Sequence, residues 1–99
     1  SVALLDEARL DARMRVATAA ARLEEATRRA RLASEVLLPQ AGLVRERAAR
    51  AYALGETGIV PLLEALRAER EAIAGAVGDL LGFQEARVSW AAIAAGAEP

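Results

Sequence analysis

Between Val2 and Leu54 apolar residues recur at alternating intervals of three and four. This long period constrains the fold more than any other feature of the chain. Its sixteen positions are Val2, Leu5, Arg9, Ala12, Val16, Ala19, Leu23, Ala26, Ala30, Ala33, Leu37, Gln40, Val44, Arg47, Ala51 and Leu54, and thirteen of them are apolar. A 3.5-residue period held this long marks a helix that packs along one seam. No glycine interrupts before Gly42, so the pattern predicts one helix from about residue 2 to 53. A similar seam follows at Ile59, Leu63, Leu66, Arg70, Ile73, Val77, Leu80, Gln84, Arg87, Ala91 and Ala94. Leu62, Leu81, Phe83, Val88, Trp90 and Ile93 lie off that seam. The apolar surface of the second helix is therefore wider than one stripe, and such a helix wants two neighbours. The predicted fold is all-α: a long antiparallel helical hairpin with coiled-coil-like packing. Its second helix covers about residues 59–95, and a tip turn covers 54–58.

Composition agrees with thin, close packing. Alanine supplies 26 of the 99 residues, and the aromatics are Tyr52, Phe83 and Trp90 alone. Alanine has the best helix propensity and lets backbones approach, but it cannot fill a thick core. The net charge of -1 comes from 13 basic and 14 acidic residues, which argues against a nucleic-acid footprint with its basic excess. Neither cysteine nor histidine is present. Thiol and imidazole chemistry, disulfides and the common zinc sites go with them. Asp6, Glu7 and Asp11 stand without a second cluster, so no metal site is expected. No nucleophile–base pair or phosphate loop appears either. The chain reads as a non-enzyme without a cofactor. No apolar run reaches the length of a membrane-spanning helix, and the abrupt start inside a helical pattern suggests an excised piece of a larger protein.

At 1.5 Å per residue the two helices measure roughly 78 and 55 Å, so about 20 Å of the first overhangs. Self-association of the chain is expected to cover that surface. Pro39 lies inside the first helix and cannot donate to the Glu35 carbonyl. It either kinks the helix or breaks it near Leu38. Gly75, Gly78 and Gly82 share one face of the second helix, either as tolerated cost or as a place of close approach to a neighbouring helix. Pro61 follows the turn and costs least if Gly58 caps the helix and Ile59 starts it. Glu24 and Glu25 precede Arg28 and Arg29 by four residues, and Glu46 precedes Arg50 likewise, which is the favourable order on a solvated helix face.

The turn itself is the most specific stretch. Gly55 sits where a positive φ would relieve the reversal. Glu56 stands near the next helix N-terminus, where negative charge is favoured. Leu54, Ile59 and Val60 gather apolar groups around it. They either cap the hairpin's own interior or offer a partner a foothold. The order of Tyr52, Gly55, Ile59, Val60, Leu63, Ala65 and Arg67 resembles the periplasmic tip of TolC-like outer-membrane efflux channels, in their second structural repeat. Phe83 and Trp90 followed by Gly96 suit the last helix of that family, and Pro39 is similar to a feature of its heavy-metal cation-efflux branch.

The resemblance implies a hairpin from the wall of a trimeric α-barrel, in the periplasmic portion of an outer-membrane protein. It also implies docking of a periplasmic adaptor protein of a tripartite pump on Tyr52, Leu54, Gly55, Glu56, Thr57, Gly58, Ile59 and Val60. Two departures stand out. Gly58 replaces the Ser or Thr cap often found in the family, and Pro61 occupies the first position where pore-facing acids are common. Glu64 remains as a pore-lining candidate, or as a plain solvated charge. Two other readings compete: the coiled-coil hairpin of an adaptor, which would normally be flanked by β-rich halves, and a generic helical module that dimerises. As an isolated chain, two hairpins are expected to pair into a four-helix bundle.

Overall fold

The computed structural model describes residues 1–97. The order is α1 (Val2–Leu32), a single π-helical turn (Ala33–Leu37), α2 (Leu38–Ala53) and α3 (Ile59–Ala97). α1 and α2 form one rod interrupted only by the π turn, and α3 returns antiparallel along it. The molecule measures 79 × 18 × 14 Å, so the long helical hairpin is what forms. Ser1 caps α1, its hydroxyl oxygen accepting from the Leu4 amide at 3.3 Å, which satisfies one of the free donors at the helix start.

Pro39 neither breaks the rod nor sits in an ordinary helical turn. Its ring would crowd the carbonyl one turn back, and the preceding turn is widened instead. The Leu38 amide reaches past its usual partner to the Ala33 carbonyl. Where the pitch changes, the Ser34 hydroxyl donates to the Ala30 carbonyl at 2.8 Å. Back-bonding of this kind accompanies helix distortion.

The π turn contains one extra residue, and this moves the seam. From Val16 to Ala33 the inward positions are as the period predicts: Val16, Ala19, Leu23, Ala26, Ala30 and Ala33 are partly or fully covered, whereas the expected Val2, Leu5, Arg9 and Ala12 nearer the root are exposed. Beyond Ala33 the covered line runs through Leu38, Ala41, Arg45 and Ala48, with Gly42, Ala49 and Ala51 partly covered beside it. The expected Leu37, Gln40, Val44 and Arg47 are exposed. The shift is one residue from Leu38 to Ala48, because a π turn advances the chain without completing the ordinary rotation; at the tip end the expected Ala51 is covered and Tyr52 is exposed.

On α3 the seam also differs by one residue from the expected stripe. The covered line is Leu62, Ala65, Glu69, Ala72, Ala76, Asp79, Phe83, Ala86, Trp90 and Ile93, again at intervals of three and four, with Gly82 and the expected Ala94 partly covered beside it. Alanines dominate this line, and small residues let the two backbones approach. Among the described residues only Ala19, Ala33 and Ala65 are buried, at 4–5% exposure. Their burial makes a seam rather than a thick core.

Candidate docking tip and packing faces

The tip is closed by backbone hydrogen bonds. Leu54 ends α2 in right-handed geometry, with its amide on the Arg50 carbonyl at 3.0 Å. Gly55 then takes φ +74°. The Gly55 amide donates to the Tyr52 carbonyl at 3.1 Å, and the Glu56 amide donates to the Ala51 carbonyl at 2.9 Å. These two bonds form a Schellman motif, which satisfies carbonyls that a helix end leaves free. The reversal therefore rests on the backbone, and its side chains are left unoccupied. Leu54 and Val60 remain 67% and 58% exposed. Tyr52, Glu56, Thr57, Gly58 and Ile59 are exposed as well. α3 begins at Ile59, with Pro61 as its third residue, the arrangement that wastes no hydrogen bond. All eight tip residues thus come together on one solvent-facing end, and Leu54 and Val60 are not folded inward as a cap.

Antiparallel packing gives the hairpin two broad faces. Residues one position before the seam share one face on both helices. Arg22, Glu25 and Arg29 line a cleft there with Gly78 and Gly82. Residues one position after it share the opposite face, where Ala20, Glu24 and Thr27 line a cleft beside Trp90. By the same count Glu64, next to the buried Ala65, lies on the first, charged face; it is exposed. Leu37 and Val44 lie on that face too, farther from the root. The second face carries the large apolar stripe of α3. Leu63, Leu66, Ile73, Val77 and Leu80 are 42–54% exposed at heptad spacing.

Polar contacts across the seam concentrate at one place. Arg45 Nε lies 2.8 Å from Oε1 and 2.9 Å from Oε2 of Glu69. Both residues occupy seam positions, and Glu69 Oε2 lies 3.5 Å from where a Cβ on Gly42 would sit. The Glu69 carboxylate raises the Arg45 pKa above its ordinary value, through the hydrogen bond first and its charge second. The helix-face pairs differ in part from expectation. Glu25 binds Arg28 at 2.7 Å and Arg29 at 2.9 Å, which takes Arg28 away from Glu24. Asp11 binds Arg15. Glu46 lies 3.9 Å from Arg45 and makes no bridge to Arg50 among the described residues. The Arg45–Glu69 pair was not legible as a functional contact. The two residues are 24 apart in sequence, and neither belongs to the stripe that periodicity selects.

Among the described residues no group of three or more potential metal ligands is gathered. No described helix is long and apolar enough to cross a membrane. Compared with known proteins, the chain matches no family model, no curated sequence and no solved structure.

Proposed function

We propose that this chain is a wall hairpin of an export duct of the TolC-like type, whose tip docks a periplasmic adaptor protein. The observation that carries the reading is the division of apolar residues. Among the described residues the hairpin buries three alanines, while α3 turns Leu63, Leu66, Ile73, Val77 and Leu80 outward in a regular seam. A line of large side chains at 3.5-residue spacing is what a further helix packs against. A hairpin built this way is a part of a wall, and copies or repeats of itself supply its neighbours. In the trimeric parent they close a tube in the periplasmic portion of the outer membrane. As an isolated chain two copies pair.

The tip supplies the second half of the reading. The family likeness rests on Tyr52, Gly55, Ile59, Val60, Leu63, Ala65 and Arg67. Around Gly55 the turn offers exposed apolar groups beside an already satisfied backbone, which suits a protein foothold. Glu64 sits on the charged face opposite the α3 stripe. If the stripe packs within the wall, that placement suits the lumen, where three carboxylates would favour cations at the entrance. Transport is passive in this scheme, and no catalytic residue is assigned.

The test is site-specific crosslinking in cells. A photoreactive residue at Thr57 of the full-length parent should yield an adduct with a periplasmic adaptor. The same probe at Arg28, on the helix wall, should not. An envelope-located parent that gives no adduct at Thr57 removes the docking role and leaves a helical hairpin that assembles by its outer stripe.

A further inference from the structure

The rod α1–α2 contains two possible seams beyond residue 33, one residue apart. One runs through Leu38, Ala41, Arg45 and Ala48 and faces α3. The other runs through Leu37, Gln40, Val44, Arg47 and Ala51. An uninterrupted α-helix continuing the line of Ala26, Ala30 and Ala33 would present this second seam, because each residue advances about 100°. Two features oppose that outcome. Pro39 has no amide for the helical ladder, and its ring crowds the carbonyl one turn back. The wider π turn (Ala33–Leu37) lies directly ahead of it. Arg45, carried one step round by the extra residue, meets Glu69 at 2.8 Å. In the other register Arg47 would take the seam position and Glu69 would lose its partner.

We infer that Pro39 and the Arg45–Glu69 pair together set the packing register of the tip-proximal half of the hairpin. They thereby decide which side chains that half shows to its surroundings. The selected register places small residues, Ala41 and Ala48, against α3. It keeps Leu37 and Val44 outside on the charged face, opposite the stripe of Leu63, Leu66, Ile73, Val77 and Leu80. Apolar groups then stand on both faces of the hairpin. In the unselected register Leu37 and Val44 would be consumed in the hairpin's own seam. The register is a property of the single chain. Its meaning for neighbouring hairpins rests on the duct-wall reading.

The natural chain has no cysteine, so disulfide mapping starts without background. Ala48 and Ala65 occupy the seam layer adjacent to Arg45 and Glu69, three residues and four residues toward the tip. The pair Ala48→Cys with Ala65→Cys should therefore close an intramolecular disulfide under mild oxidation, and Arg47→Cys with Ala65→Cys should not. Adding Glu69→Ala alone should leave this preference unchanged, since the proline ring still disfavours an ordinary turn. Adding both Pro39→Ala and Glu69→Ala should reverse it, with helix content by circular dichroism retained. Persistence of the 48–65 crosslink in the double variant overturns the inference. So does transfer to 47–65 with Glu69→Ala alone, which would leave Pro39 no part, or loss of both crosslinks in a chain that is still helical. The readout lies within one chain and is independent of assembly. A separate oxidation of Ile73→Cys alone, in the outer stripe of α3, scored for covalent dimers, reports on the neighbour. A correct register without such dimers counts against the wall reading and not against the register.

Discussion

Glu25 accepts from two arginines at once, and its carboxyl pKa falls from the ordinary 4.5 to about 2, chiefly through the hydrogen bonds from Arg28 and then Arg29. The sign of the resulting pH dependence follows from linkage. A depressed carboxyl pKa contributes stability that is full above the unfolded value and is lost as pH falls through the folded one. The contribution should thus be intact above about pH 4.5 and should fade toward pH 2. The group is exposed to solvent, so the effect should shrink in high salt. An NMR titration of the Glu25 side-chain carboxyl, repeated after Arg28→Ala and Arg29→Ala, checks it; an unshifted midpoint would remove the pairing from solution. Gly55 is the other residue with a defined burden. At φ +74° any L side chain is strained, while alanine narrows the unfolded ensemble only modestly. Gly55→Ala should cost about 1 kcal/mol, read as a lowered midpoint in thermal unfolding. Gly58→Ala, with no positive φ to satisfy, should cost less.

At the scale of elements, the middle of α3 contains Gly75, Gly78 and Gly82, whose cost is not repaid inside the hairpin. A Cβ added at Gly75, Gly78 or Gly82 meets nothing within 4 Å. Close approach to the partner helix of the same hairpin therefore does not explain them. Gly75→Ala and Gly78→Ala should each stabilise the chain by about 1 kcal/mol through helix propensity. Urea unfolding monitored at the α-helical dichroism band tests this. A loss of stability at either position would show that the glycine contacts a neighbour in solution.

Element boundaries were legible in the sequence, and the choice of seam was not. Helix from residue 2, the reversal at Gly55 and the restart at Ile59 all follow from period, positive-φ chemistry and the least-cost place for Pro61. The inward line failed for two physical reasons. A heptad count assumes ordinary turns, and Pro39 imposes one that is not. A count of apolar residues also prefers Leu63, Leu66, Ile73, Val77 and Leu80, because they are larger than Ala65, Ala72 and Ala76. Close packing selects the small line, and the large one is left outside. At the tip, the resemblance singled out the eight residues, and the sequence left open whether Leu54 and Val60 fold inward. That depends on the Schellman hydrogen bonds, which close the turn without them.

The whole molecule is an elongated rod with a radius of gyration of 22.0 Å, against about 13 Å for a compact domain of this length. Marginal burial and long apolar stripes predict concentration-dependent association. Light scattering should give twice the chain mass at tens of micromolar. Ile73→Glu, placed in the middle of the outer stripe, should return the mass to that of a single chain while leaving the helical spectrum in place, since Ile73 is already exposed in one hairpin. A variant that remains paired would move the interface to another face.

The Schellman turn also bears on how fast the rod can form. Every pairing between α3 and the rod α1–α2 closes a loop through Gly55, and the loop grows from a few residues near the tip to about eighty at the root. Each doubling of that length adds about 0.6 kcal/mol of closure entropy, so seam layers are cheapest to form in order outward from the turn. Arg45 with Glu69, 24 residues apart, would be an early layer, and Ala19 with Ala86 a late one. Folding is then a zipper with one starting end. Strain introduced at Gly55 should slow the folding arm of a chevron plot, and damage near Ala19 should quicken the unfolding arm.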